Sequence, residues 1–301
     1  MRVSLNAVGA AHDSATGAQD REHALTRAQA AAAEPSSFET RMVDVRGQLL
    51  RVGLKQGDKR KPALLMFNGI GANLELAAPF FEALGDREAL IFDIPGIGGS
   101  PAPLLPYRPS TLAALAHDLI VQLGYECVDV SGVSWGGGLA QQFAFQFPKA
   151  CRKLVLVATS AGMIMVPGAP NVLMKMASPK RYLDRDYMRS IAAEIYGGAF
   201  RRNPHLIERH AAGMRGSTQY GYALQLLGMV GWTSVPWLWM LQQPTLILSG
   251  TDDPLIPVVN AKLLATLIPN ARLELVDDGH LFVVTDPDRT ARMVEAFLDE
   301  A

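Results

Sequence analysis

Apolar positions are scattered without a period through the first 37 residues, "MRVSLNAVGAAHDSATGAQDREHALTRAQAAAAEPSS", where small, charged and polar residues alternate irregularly. The alanine run near its end follows charged residues, not a hydrophobic core. The pattern therefore predicts a disordered or loosely helical tail over 1–37, and no secretory leader. From Phe38 onward the spacing becomes regular. "ETRMVDVRGQLLRVGLKQG" reads as two strands joined by a turn at Arg46–Gly47. "PALLMFNG" and "EALIFDIPG" are short apolar runs ending in turn residues, as buried strands do, with the helical spacing of "ELAAPFFEAL" between them. "STLAALAHDLIVQLG" reads as a helix with an N-cap at Ser110–Thr111 and a stop at Gly124. The strand "CVDVSG", the helix "GGLAQQFAFQFP" stopped by Pro148, and the strand "RKLVLVAT" follow.

Strands alternating with helices imply an α/β fold whose mostly parallel sheet is covered on both faces. The alternation breaks between residues 162 and 241, where methionines collect with Trp232, Trp237 and Trp239. It returns with the strand "QPTLILSG", the helix "NAKLLATLIPN", the strand "ARLELVDDG" and the closing helix "DRTARMVEAFLDEA". The expected organisation is a core of 38–161 and 242–301, interrupted by a mostly helical cap insertion over 162–241.

Composition narrows the function. The 301 residues carry a formal net charge of -1, which gives no broad basic surface for nucleic acid. Although 49% of residues are hydrophobic, no run reaches the roughly 18 apolar residues needed to span a bilayer, and the expected location is cytoplasmic. The two cysteines, Cys127 and Cys151, sit in strand-like contexts and are expected to be buried, reduced thiols.

Chemistry gathers at four loops. "GVSWG" fits G-x-S-x-G, with Ser134 between a strand and a helix, the setting of a nucleophile elbow. Ser131 belongs to the end of the strand. A serine hydroxyl needs a base, and the base needs an orienting group. His280, in "VDDGHLF", follows the last strand at the end where α/β sites form. His12 and His23 lie in the tail, His117 reads as a packing or surface residue, and His205 and His210 lie in the insertion. The acid is expected from "GTDDPLIP", where spacing does not separate Asp252 from Asp253. Asp277 and Asp278 read as turn formers. Backbone donors for an oxyanion are expected at Trp135, next to the serine, and at Ile70 in "NGIGAN". "NGIGAN" and "PGIGGS" both contain G-x-G, but neither completes a dinucleotide or phosphate-binding motif. No Cys/His cluster has zinc spacing, and neither a metal nor a cofactor is expected.

In combination and order, "FNGIGAN", "FDIPGIGGS", "GVSWGG", "GTDDPLIP" and "DDGHLF" resemble the α/β-hydrolase family over about residues 40–300. The family's G-x-x-D-x-x-x-P loop, laid on "GTDDPLIP", implies Asp253 as the acid. The chain departs from many members at Asn68–Gly69, where they carry His-Gly, and the role of Asn68 is open. Further stretches, "MVPGAPNVLMKMASPKRY", "IYGGAFRRNP", "GWTSVPWL" and "DDPLIPVVN", are similar to the intracellular poly(3-hydroxyalkanoate) depolymerases of the medium-chain type. That resemblance implies ester hydrolysis by Ser134, Asp253 and His280 without a cofactor, acting on a polyester substrate or granule surface. Two other readings are compatible with these motifs: a small-molecule carboxylesterase or carbon–carbon bond hydrolase of the same fold, and a non-catalytic granule-binding protein. Gly137 and Gly138 are expected to serve close helix–strand packing.

Overall fold

The structure is a computed structural model that describes residues 38–178, 180–214 and 218–300. The expected tail, with His12 and His23, lies outside the described residues. Among the described residues, eight strands form one sheet: β1 (Glu39–Val45), β2 (Gln48–Lys55), β3 (Leu64–Phe67), β4 (Ala89–Phe92), β5 (Val128–Val133), β6 (Cys151–Val157), β7 (Thr245–Gly250) and β8 (Ala271–Val276). Their spatial order is β1-β2-β4-β3-β5-β6-β7-β8. The β1–β2 hairpin turns at Arg46–Gly47, both at positive φ, and joins β4 antiparallel. From β4 onward every pairing is parallel.

Side-chain alternation divides the core in two. On one face Leu65, Phe67, Val130, Leu154, Leu156 and Ile247 pack against α2 (Pro109–Gln122) and α3 (Trp135–Gln146). On the other, Leu64, Met66, Val155, Val157, Leu246 and Leu248 meet α1 (Ala78–Ala83) and the terminal helix. Each buried Leu or Val contributes about 1.5–3 kcal/mol relative to exposure, so both faces hold the sheet.

Between β6 and β7 the chain forms α4 (Pro170–Ala177), α5 (Lys180–Leu183), α6 (Arg185–Tyr196), α7 (Gly198–Arg202), α8 (Pro204–Gly213) and α9 (Gln219–Met229), then a 3-10 turn at Val235–Met240. These helices share a third core of Val172, Met188, Ile191, Ile195, Phe200 and Tyr222. After β7 come α10 (Val258–Leu267), β8, α11 (Phe282–Thr285) and α12 (Pro287–Asp299).

Three local readings need correction. Helix α2 is capped at Arg108, not at Ser110–Thr111, because Pro109 fits the first helical position and needs no N–H partner there. "ELAAPFFEAL" divides into a 3-10 turn at Leu74–Ala77 followed by α1. Cys127 is exposed while Cys151 is buried, because β5 begins one residue after Cys127 and leaves it in the connecting loop.

Candidate active site

The strand order reverses between β4-β3 and β5-β6, and loops after β3, β5, β7 and β8 meet at the carboxyl ends of the strands. Ser134 stands between β5 and α3 with φ 55° and ψ −118°. A non-glycine residue there is strained, and the surroundings must hold it. They do so through its backbone: Ser134 N–H donates to Val157 O at 2.8 Å, and its carbonyl accepts from Thr159 Oγ1 at 2.6 Å. Glycine is required on either side of it. A Cβ at Gly132 would lie 2.3 Å from Gly136 O, and one at Gly136 would lie 2.3 Å from Phe67 O.

His280 follows β8. Its ring is buried, its backbone N–H donates to Tyr196 O at 2.7 Å, and it stacks parallel on the Tyr196 ring at 6.3 Å. Nδ1 lies 2.7 Å from Asp253 Oδ2. The other Asp253 oxygen accepts from the amides of Leu255 and Ile256, each at 2.9 Å. A carboxylate held at both oxygens fixes the ring's tautomer and orientation.

The same geometry separates the neighbouring acids. Asp252 turns outward to Arg201 and the amide of Gly198. Asp278 accepts from the amides of Ala199 and Gly279 and from Thr285 Oγ1, so it both shapes the turn and docks α7.

Ser134, His280 and Ile70 line one cavity of about 520 Å³, its open mouth included. The rest of its wall is mainly apolar, with Met66, Leu76, Val133, Met176 and Val284. No hydrogen bond joins the Ser134 hydroxyl to the imidazole, as is common for catalytic pairs before substrate arrives. Among the hydrogen bonds of the described residues, none uses the backbone N–H of Ile70 or Trp135.

Asn68 folds its own loop: Nδ2 donates to Asn73 O at 2.9 Å and Oδ1 accepts from Gly69 N–H. Asp93, from "FDIPGIGGS", ties that loop to the turn after β4 by accepting from Leu74 N–H and Gly99 N–H, each at 2.8 Å. Gly137 serves close helix–strand packing as expected, against the segment at the end of β6, while Gly138 faces a different neighbour. A Cβ at Gly137 would meet Thr159, and one at Gly138 would meet Met229 and Trp232, so the second glycine makes room for the inserted helices rather than for a strand.

The family profile described as alpha/beta hydrolase fold matches residues 62–287. The chain is 50% identical over 267 residues to the poly(3-hydroxyalkanoate) depolymerase of Ectopseudomonas oleovorans, covering 88% of this chain and 94% of that one. The chain belongs to the α/β-hydrolase family, together with that depolymerase. Among solved structures, the enol-lactonase from Burkholderia xenovorans LB400 aligns with a TM-score of 0.75 at 23% identity, covering 86% of this chain and 100% of that one. A hydrolase from Pseudomonas aeruginosa PA01 aligns with a TM-score of 0.73 at 24% identity, covering 87% and 99%. At these identities the two structures show the shared fold alone.

Sequence reasoning passed over three residues that meet the site. His210, set aside with the insertion, lines the cavity edge-on to Tyr196 and Phe200, and neither ring nitrogen has a hydrogen-bond partner among the described residues. Burial pushes its imidazole down to about 4, and the nearby Arg181 guanidinium adds to the shift. Arg181 is itself buried and reaches Ile70 O, while Gln225 is buried against Gly71. Arg181 falls within the "MASPKRY" stretch already singled out. Nothing around Gln225 in the sequence marks it.

Proposed function

We propose that the chain is a serine ester hydrolase acting on poly(3-hydroxyalkanoate), with Ser134 as nucleophile, His280 as base and Asp253 as the group that orients it. The observation that carries this reading is the buried 2.7 Å His280–Asp253 contact, in a site that also holds a strained serine. Ser134 Oγ attacks the ester carbonyl carbon while His280 Nε2 takes its proton, and Asp253 supports the resulting imidazolium. Charge on the carbonyl oxygen meets the open N–H groups of Ile70 and Trp135. The ester C–O bond breaks, and His280 returns the proton to the departing 3-hydroxyl, leaving an acyl-serine. Water, deprotonated by His280, then attacks the acyl carbon and releases the 3-hydroxy acid or oligomer.

The largely apolar cavity suits an aliphatic side chain, in keeping with the medium-chain type. No described helix is long and apolar enough to cross a membrane, and the proposed setting is the cytoplasm at the surface of polymer granules. Exposed apolar residues, including Leu104, Leu105, Met163, Leu227 and Trp239, are available to such a surface.

The test is acid release and loss of turbidity from medium-side-chain polyester granules. Wild type should clear them, and Ser134→Ala should not. Clearance by Ser134→Ala, or none by wild type, would overturn the reading.

A further inference from the structure

Two residues of the inserted helices hold one peptide of the oxyanion loop from opposite sides. The Ile70 carbonyl accepts from Arg181 Nη2 at 3.0 Å, and the next N–H, that of Gly71, donates to Gln225 Oε1 at 2.6 Å. The Ile70–Gly71 peptide plane is therefore gripped at both polar atoms. Gly71 sits at φ 71°, where a glycine turns with little resistance, so the loop alone would not fix this plane. Gln225 also reaches the second expected donor residue: its backbone carbonyl accepts from the Trp135 indole N–H at 3.1 Å. Arg181 reaches the base side as well. Its Nη1 donates to Tyr196 OH at 3.1 Å, and Tyr196 supplies the carbonyl that holds His280 N–H. A third contact, Arg181 Nε to Tyr222 OH at 3.1 Å, anchors the guanidinium in α9.

We infer that Arg181 and Gln225 are positioning residues that set the oxyanion hole, so that the inserted helices complete the catalytic geometry as well as shape the cavity. This rests on the proposed ester hydrolysis. The Ile70 N–H lies in the adjacent Gly69–Ile70 peptide, whose carbonyl accepts from Ala72 N–H at 3.1 Å; by holding the central Ile70–Gly71 peptide of that turn, the two side chains keep the turn, and the N–H it carries, in place. Arg181 serves through its rigid fork, which bridges a carbonyl and two phenols at once, and a lysine ammonium does not reproduce that planar geometry. Gln225 serves through an acceptor oxygen, which a glutamate retains.

The experiment compares wild type, Gln225→Leu, Gln225→Glu and Arg181→Lys on 4-nitrophenyl octanoate. Active sites are titrated with a serine-directed phosphonate so that only folded, competent enzyme is counted. A misaimed donor stabilises the transition state less while substrate binding persists. Gln225→Leu and Arg181→Lys should thus lower kcat by roughly 10- to 100-fold with KM within about threefold. Affinity for octylboronic acid, which places an oxygen where the oxyanion forms, should fall in the same proportion as kcat. Gln225→Glu should stay within about fivefold of wild type, since the acceptor is kept. Folded Gln225→Leu or Arg181→Lys enzyme with kcat within about twofold of wild type, or with only KM raised, would overturn the inference. Wild type that neither cleaves the ester nor takes up the phosphonate would overturn the proposed function itself, and the clamp with it.

Discussion

Both ends of the parallel sheet bury charged and polar groups, and they treat them in opposite ways. At the amino ends of β5 and β6, Asp129 accepts from Arg152 at 2.8 and 2.6 Å and from Arg87 at 3.4 Å. Arg152 also donates to Leu298 O, while Lys153 donates to Phe297 O and Glu300 O. Cations thus meet the last carbonyls of α12, where the helix dipole favours them. The terminal helix is fastened by these pairs, with only the buried Arg87 Nε of this cluster left without a partner among the described residues. At the carboxyl ends the polar groups are left open: Ser134 is strained, and among the described residues the half-buried Ile70 and Trp135 amides and the buried His210 ring have no hydrogen-bond partner. An open polar group in a buried place costs free energy, about 1–3 kcal/mol each, unless something else uses it. The contrast marks one end as built for stability and the other as held ready for a substrate.

The sharpest way to break that contrast is Ser134→Ala. Turnover should fall by at least about 10⁴-fold while the urea midpoint stays within error of wild type. A large loss of stability would mean that the serine is structural. Asp253→Asn should follow, with kcat lowered by roughly 10³- to 10⁴-fold, because the amide favours the wrong imidazole tautomer. The pH–rate profile would check it, and near-normal turnover would reassign the acid.

The amino end should behave conversely. Asp129→Ala takes away the carboxylate that Arg152 pairs with and leaves Arg87 with Asp299 as its carboxylate partner, and should destabilise by about 3–5 kcal/mol, with kcat per folded molecule unchanged. Urea unfolding beside active-site titration reads both, and a matching loss of kcat would show the two ends to be coupled.

The smallest effect concerns His210. Its folded-state value of about 4 lies below the ordinary 6.5. Between those values the unfolded chain binds the proton that the folded chain refuses, so stability rises with pH. The contribution is complete above pH 6.5 and is lost as pH falls to about 4, on the order of 3 kcal/mol in all. His210→Met should flatten that part of the stability profile, read as urea midpoints at pH 7.5, 5.5 and 4.5. An unchanged slope would place the acid sensitivity elsewhere.

The chain itself determined the alternation of strands and helices, because apolar period and turn residues are local properties. It determined the strained serine for the same reason: a G-x-S-x-G turn needs its glycines within four residues of one another. His280 and the Asp252–Asp253 pair were legible as loops following strands. Only the tertiary structure set the two aspartates in opposite directions, since that depends on the amides of Leu255 and Ile256 and on Arg201. It alone brought His210, Arg181 and Gln225 to the site, across more than a hundred residues of sequence from the loop they meet. Helices of an insertion carry their own period, and that period records which face is buried. Which loop the face is buried against is decided by packing, and packing joins positions that no local pattern connects.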